Sequence, residues 1–201
     1  MLKQHDTAVL VCPIAKSLPA IEDCDWIGID AGCLILENAG ITPLFAIGDF
    51  DSAPVGDDKP YPVYRHPVAK NETDSELALL KAREMGYSRI ILWGALSGRL
   101  DHTLANIRCM LWKVPQAIAM DENHRVRVFE EGCYSMVSDY PHISFFAAED
   151  TIITLRDFDY PLESTLITTH DFYTCSNSIS KDEATVIIEK GRVLCVETRC
   201  R

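Results

Sequence analysis

The side chains of this sequence best placed to do chemistry are carboxylates that follow short apolar runs. Trp26-Ile27-Gly28-Ile29 leads to Asp30, and Phe45-Ala46-Ile47-Gly48 leads to Asp49, Phe50, Asp51 and Ser52. Ile90 to Trp93 leads through Gly94-Ala95-Leu96-Ser97-Gly98-Arg99 to Asp101 and His102, while Thr73-Asp74 opens a helical pattern. In an open parallel sheet, ligands bind outside the carboxyl ends of the strands. Asp30, Asp49, Asp51, Asp74 and Asp101 are therefore expected on one rim. Carboxylates brought together resist ionisation unless a cation joins them. Mg2+ takes oxygen ligands, often one or two carboxylates with waters and substrate phosphates. The chemistry implied is of the phosphoryl-transfer type. Arg99, beside Gly98, is placed to hold phosphate oxygens bidentately, and the N–H groups at the start of the helix near Asp101 favour an anion.

Each of these residues also has a plainer reading. Asp74 and Asp101 stand at helix starts, where acids cap N–H groups and suit the macrodipole. Asp30 before Ala31-Gly32 serves equally as a turn residue. A lone D-x-D arises by chance, and His102 reads as a structural group or phosphate contact before a base. The combination points beyond them. No G-x-x-x-x-G-K-[ST] loop and no G-x-G-x-x-G fingerprint occurs, which argues against a P-loop kinase and a dinucleotide dehydrogenase.

The elements that must carry these residues alternate strand and helix. Val9 to Cys12, Trp26 to Ile29, Phe45 to Ile47 and Arg89 to Trp93 read as buried strands of a parallel sheet. Thr73 to Met85 reads as a helix, with Thr73 and Glu76 forming a capping box and Gly86 the stop. Leu77, Leu80 and Glu84 share one expected face, with Ala78 and Met85 flanking it. A second helix, Asp101 to Val114, aligns Leu104, Ile107 and Leu111 and ends at Pro115. From about Arg125 the pattern turns to alternation, as in Val126-Arg127-Val128 and parts of Thr151 to Phe158. Ala184 to Ile188 and Arg192 to Thr198 flank Gly191 as an expected hairpin. The fold class is therefore α/β: a Rossmann-like parallel-sheet domain over residues 1–123, then a small antiparallel β-sandwich domain over 124–201. The boundary falls near Glu122 to Arg125.

With 201 residues, 19 basic and 30 acidic side chains, the net charge is −11. That balance argues against a nucleic-acid partner, which needs a basic face. The hydrophobic fraction of 47% and mean hydropathy of +0.00 suit an ordinary soluble chain. The longest apolar run, Ala8 to Ala15, is far too short to span a bilayer and contains Pro13, so no membrane association is expected. The eight cysteines form no C-x-x-C pair, which argues against zinc and suits buried thiols in a reducing cytoplasm.

At these residues the sequence resembles the thiamine pyrophosphokinase family along most of its length. GDFDS at Gly48 to Ser52 resembles the G-D-x-D-S element, and NETDSELAL at Asn71 to Leu79 resembles D-x-T-D-x-x-x-A. GALSGRLDHTLAN at Gly94 to Asn106 resembles G-x-x-G-G-R-x-D-H-x-x-x-N, and Ser176-Asn177 resembles a late S-N element. The resemblance implies transfer of diphosphate from ATP to thiamine, releasing AMP, by a Mg2+-dependent homodimer. Catalytic roles would fall to Asp49, Asp51, Asp74, Asp101 and Arg99, the four acids also organising metal. ATP would meet Asp30, Ser52, Thr73, Gly98, Arg99 and His102. Thiamine would meet Glu72, Asp74, Ser176 and Asn177, its site lying at the subunit interface.

Departures from the family pattern leave these acids in place. Ser97 replaces a usual Gly, Asn71 and Glu72 replace Asp and Gln, Leu44 stands where Asp is frequent, and DAGC at Asp30 to Cys33 replaces D-G-G-A. Glu72 adds a negative charge that suits a cationic ligand. The catalytic base stays open, with Asp74 a candidate. Two rival readings fit the same residues: a Mg2+-dependent phosphohydrolase using Asp49 and Asp51, similar to haloacid-dehalogenase-like D-x-D enzymes, and a non-catalytic nucleotide or thiamine sensor. A third reading gives the β domain dimerisation alone.

Overall fold

The computed structural model describes residues 3–51, 54–56 and 58–199 and divides into two compact units, 1–122 and 123–201. In the first unit, β1 (Thr7–Val11), β2 (Cys24–Ile29), β3 (Phe45–Gly48), β4 (Val63–Arg65), β5 (Arg89–Trp93) and β6 (Ala117–Met120) lie parallel in the order β4-β3-β2-β1-β5-β6. Val9, Val11, Ile91 and Trp93 join Leu36 in one buried cluster. Such wholly apolar strands fit a parallel sheet shielded on both faces. The chain moves outward from β1 to β4, then returns to place β5 on the other side of β1. That reversal makes a topological switch point between β1 and β5, where the loops part and leave a crevice.

Three helices connect the strands: α1 (Gly32–Asn38), α2 (Asp74–Glu84) and α3 (Leu100–Trp112). α2 starts where the sequence places it. Thr73 Oγ1 accepts the Glu76 N–H at 3.1 Å, but the Glu76 carboxylate pairs with Lys113 instead of returning to Thr73. The capping box is therefore half made. The buried face of α2 carries Ala78, Leu79 and Ala82, one step round from the expected Leu77 and Leu80. On α3 the buried residues are Asn106, Cys109 and Met110, while Leu104 is exposed. Periodicity located an apolar stripe correctly but not the face that packs inward. Both α1 and β4 are too short to give a sequence signal.

In the second unit, β7 (His124–Phe129), β13 (Val193–Thr198) and β9 (His142–Ala147) pair antiparallel. The strands β11 (Leu162–Ile167), β10 (Thr151–Arg156), β12 (Ala184–Lys190) and β8 (Gly132–Met136) form a four-stranded antiparallel sheet. Phe129, Ile143, Phe145, Val193 and Cys195 from the first group share a core with Met136, Ile153, Leu155, Val186 and Ile188 from the second. A single core between two sheets makes this a β-sandwich. The expected hairpin around Gly191 does not form, because β12 and β13 belong to different sheets. Gly191, at φ +88°, is the corner between them, and a Cβ there would lie 2.6 Å from Thr151 Oγ1. No helix among the described residues is long and apolar enough to cross a membrane.

Candidate active site

The ends of β2 and β3 deliver the first acids through two unusual backbone positions. Asp30 follows β2 at φ +47° and Phe50 follows Asp49 at φ +56°, a region that non-glycine residues seldom enter and that costs of order 1–3 kcal/mol. Asp30 Oδ1 accepts the Phe50 N–H at 2.9 Å, tying the two strand ends together. Phe50 itself is buried, under the Arg65 guanidinium. Burying that ring sends its neighbours Asp49 and Asp51 outward. The glycine of the GDFDS motif has a steric cause: a Cβ on Gly48 would lie 2.1 Å from Asp30 Oδ1. Asp49 Oδ1 accepts the Asp51 N–H at 3.3 Å, the self-bonded turn that aspartate favours.

Carboxylate oxygens of Asp30, Asp49 and Asp74 all lie within 4.8 Å of one another, and among the described residues no other acid, histidine or cysteine group gathers this closely. Lys70 completes the cluster. Its Nζ lies 2.9 Å from Asp49 Oδ2 and 3.0 Å from Asp74 Oδ1. The contact to Asp74 is ionic only, since its buried Oδ1 accepts no hydrogen bond among the described residues. Burial pushes the Asp30 carboxyl up to about 6, the Phe50 N–H opposing and Asp74 and Asp49 adding repulsion. The Lys70 hydrogen bond holds Asp49 below the ordinary carboxylate range. Burial works to lower the Lys70 pKa, but Asp49 and Asp74 outweigh it and keep it above the usual value. Oxygen-only donors and an unsatisfied buried carboxylate oxygen suit a hard divalent cation.

The cluster opens into a cleft of about 500 Å³ beyond the switch point, walled by Pro13 and Ile14 after β1 and by Gly94 and Ala95 after β5. Asp51, Glu72, Thr73, Arg99 and His102 also face it. Asp101 and Gly98 do not. Asp101 stands apart from the three clustered acids because Arg99 takes both its oxygens, at 3.2 and 2.6 Å, and the His102 N–H takes Oδ1 at 3.0 Å. That pair is largely in solvent, where it contributes little and parts readily. Ser52 lies outside the described residues.

Ser176 and Asn177 belong to the second unit. Ser176 is exposed at φ +59°, and its N–H donates to Ser144 Oγ at 3.0 Å. Asn177 is buried: its Oδ1 accepts the N–H groups of Tyr160 and Ser178, and its Nδ2 donates to the Tyr160 carbonyl. Three of the amide's hydrogen-bonding positions thus hold the backbone around Tyr160 and Ser178 in place. Lys70 is the residue that sequence reading missed. Its one local signal was a position four residues before Asp74.

The sequence profile for "Thiamin pyrophosphokinase, catalytic domain" matches residues 21–120, and that for "Thiamin pyrophosphokinase, vitamin B1 binding domain" matches 124–193. The chain belongs to the thiamine pyrophosphokinase family. It is 32% identical over 185 residues to the thiamine pyrophosphokinase of Bacillus subtilis (strain 168), covering 86% of each chain. The crystal structure of a B. subtilis thiamine pyrophosphokinase superposes with a TM-score of 0.84 at 29% identity, covering 96% of this chain and 98% of that one. The enzyme from Geobacillus thermodenitrificans gives 0.83 at 29% identity, covering 96% and 97%. Membership of this enzyme family disfavours both the phosphohydrolase and the sensor readings.

Proposed function

We propose that the chain transfers a diphosphate group from ATP to the hydroxyethyl oxygen of thiamine, giving thiamine diphosphate and AMP. The observation that carries this reading is the Asp30, Asp49 and Asp74 oxygen cluster at the strand ends of a cleft sized for a nucleotide polyphosphate. Asp49 and Asp74 hold Mg2+, with Asp30 beside them. The ion, when bound, neutralises charge on the phosphates as AMP departs. Asp51 and Thr73 line the polyphosphate path, and Arg99 leaves Asp101 to grip phosphate oxygens. Asp101 thus holds Arg99 at the cleft until phosphate replaces it, and is not placed on the metal. The reaction is in-line attack of the thiamine oxygen on the β-phosphorus, driven by positioning and electrostatics.

The negative cleft, with Glu72 on its wall, suits the thiazolium cation. Residues 1–123 are the nucleotide-binding catalytic domain, and residues 124–201 serve thiamine binding and dimerisation. Two copies form a cytoplasmic homodimer with the thiamine site at the subunit interface. Ser176 meets the vitamin there, and Asn177 positions the Tyr160 segment. An HPLC assay with ATP, Mg2+ and thiamine tests the reaction: AMP and thiamine diphosphate should appear in equal amounts. Release of ADP or inorganic phosphate instead would sink it.

A further inference from the structure

Lys70 occupies a telling position in this cluster. Its ammonium donates to Asp49 Oδ2 at 2.9 Å and to the Pro67 carbonyl at 3.2 Å, and it lies 3.0 Å from Asp74 Oδ1 as an ion pair. The side chains of Lys70 and Asp49 are each 11% exposed and that of Asp74 is 17% exposed. Water therefore screens these charges weakly. A divalent cation held by Asp49 and Asp74 would need the same two carboxylates that face the ammonium, so ammonium and metal compete for one patch of negative charge. Against three carboxylates, one ammonium leaves the cluster negative, and it still attracts a cation.

We propose that Lys70 is the resident counter-ion of the cleft, holding Asp49 and Asp74 together without metal and keeping metal affinity low until the nucleotide arrives. The polyphosphate then gives the displaced ammonium a new anionic partner, so metal and nucleotide bind better together than apart. The Lys70 role is that of a positioning residue, and it rests on the assignment of Asp49 and Asp74 to metal made above.

The test is Mn2+ binding to the full-length protein, read by electron paramagnetic resonance. Without nucleotide, Lys70→Gln should bind Mn2+ about tenfold more tightly than the native protein, because a neighbouring positive charge has gone. Lys70→Arg, which keeps the charge, should stay within about twofold of native. With α,β-methylene-ATP present, native binding should tighten and the gap to Lys70→Gln should narrow. Native-like Mn2+ affinity in nucleotide-free Lys70→Gln would overturn the proposal. If that variant is too unstable to titrate, thermal melting decides. Mn2+ should then raise its midpoint more than it raises the native one, and equal rises count against the idea. A Lys70→Gln/Asp49→Asn double variant separates the two layers: tight Mn2+ binding that survives the second change would overthrow the assignment of Asp49 to the metal, not only the role of Lys70.

Discussion

Each unit of this chain keeps a cluster of charge away from water, and the two are balanced in opposite senses. In the first, three carboxylates gather at a cleft with one ammonium, which pairs with two of them. In the second, the carboxylate of Glu197 is wholly buried and meets two guanidinium groups. Arg125 grips it bidentately at 2.6 and 2.5 Å, Arg127 lies 3.0 Å away, and Ser138 Oγ donates at 2.7 Å. Its single negative charge is answered in full. A closed, over-compensated cluster holds a fold together, whereas an open cluster with surplus charge of one sign keeps capacity for a ligand. Burial of charge alone does not mark a functional site. Incomplete compensation beside a cavity does.

The largest effect that would break this contrast is on turnover. Asp49→Asn or Asp74→Asn should lower the rate of AMP formation by on the order of a thousandfold or more, with the protein still folded by circular dichroism. Near-native rates in either variant would remove the cluster from the reaction. Next comes stability. Glu197→Gln strips the partly buried Arg125 and Arg127 of the carboxylate they share, which should cost about 3 kcal/mol in urea unfolding. A loss well under 1 kcal/mol would show that the second cluster is not holding the sandwich.

The sequence made the parallel half legible because its signals are local. Arg89 to Trp93 is β5 to the residue, since a short apolar run between Ser88 and Gly94 has no other use. Thr73 and Gly86 bracket α2 for equally local reasons, a hydroxyl cap and a left-handed glycine. What stayed hidden depends on distant partners. Lys70 reads as a solvated lysine until Asp49, 21 residues away, is seen beside it. Asp101 looks equivalent to Asp74, since both open helices after a loop, and only the Arg99 pair separates them. Leu104 has the right period on a face that nothing in its own unit covers. Gly191 joins two strands as a hairpin glycine would, yet sheet membership is decided by β10 and β7.

The surplus of negative charge should also show as a pH dependence. Burial raises the Asp30 carboxyl from 3.8 to about 6 in the folded protein. As pH rises from about 4 to about 6, the unfolded chain gives up this proton while the folded chain keeps it, so stability falls across that window and the loss persists above it. Asp30→Asn removes the titration and retains an oxygen to accept the Phe50 N–H. In EDTA, the variant should gain on native protein between those pH values by about 1–2 kcal/mol once solvent screening is allowed for. A gap that stays flat with pH would mean that Asp30 is as well compensated as Glu197.

The smallest expected effect probes the surplus on the other side. Arg127 Nε is buried and, among the described residues, donates to no acceptor, and its Nη2 meets Glu197 only as an ion. Arg125 alone already satisfies both Glu197 oxygens. The second guanidinium therefore brings a desolvation cost with little hydrogen bonding in return, offset in part by its stacking 5.1 Å over Phe129. Arg127→Met keeps the apolar stem and drops the charge, and such exchanges are often neutral. Its unfolding free energy should lie within about 1 kcal/mol of native, while Arg125→Met, which strips Glu197 of its bidentate partner, should lose about 3 kcal/mol or more. Equal losses would mean that the two arginines share Glu197 as a unit, and the second cluster would then be balanced rather than over-compensated.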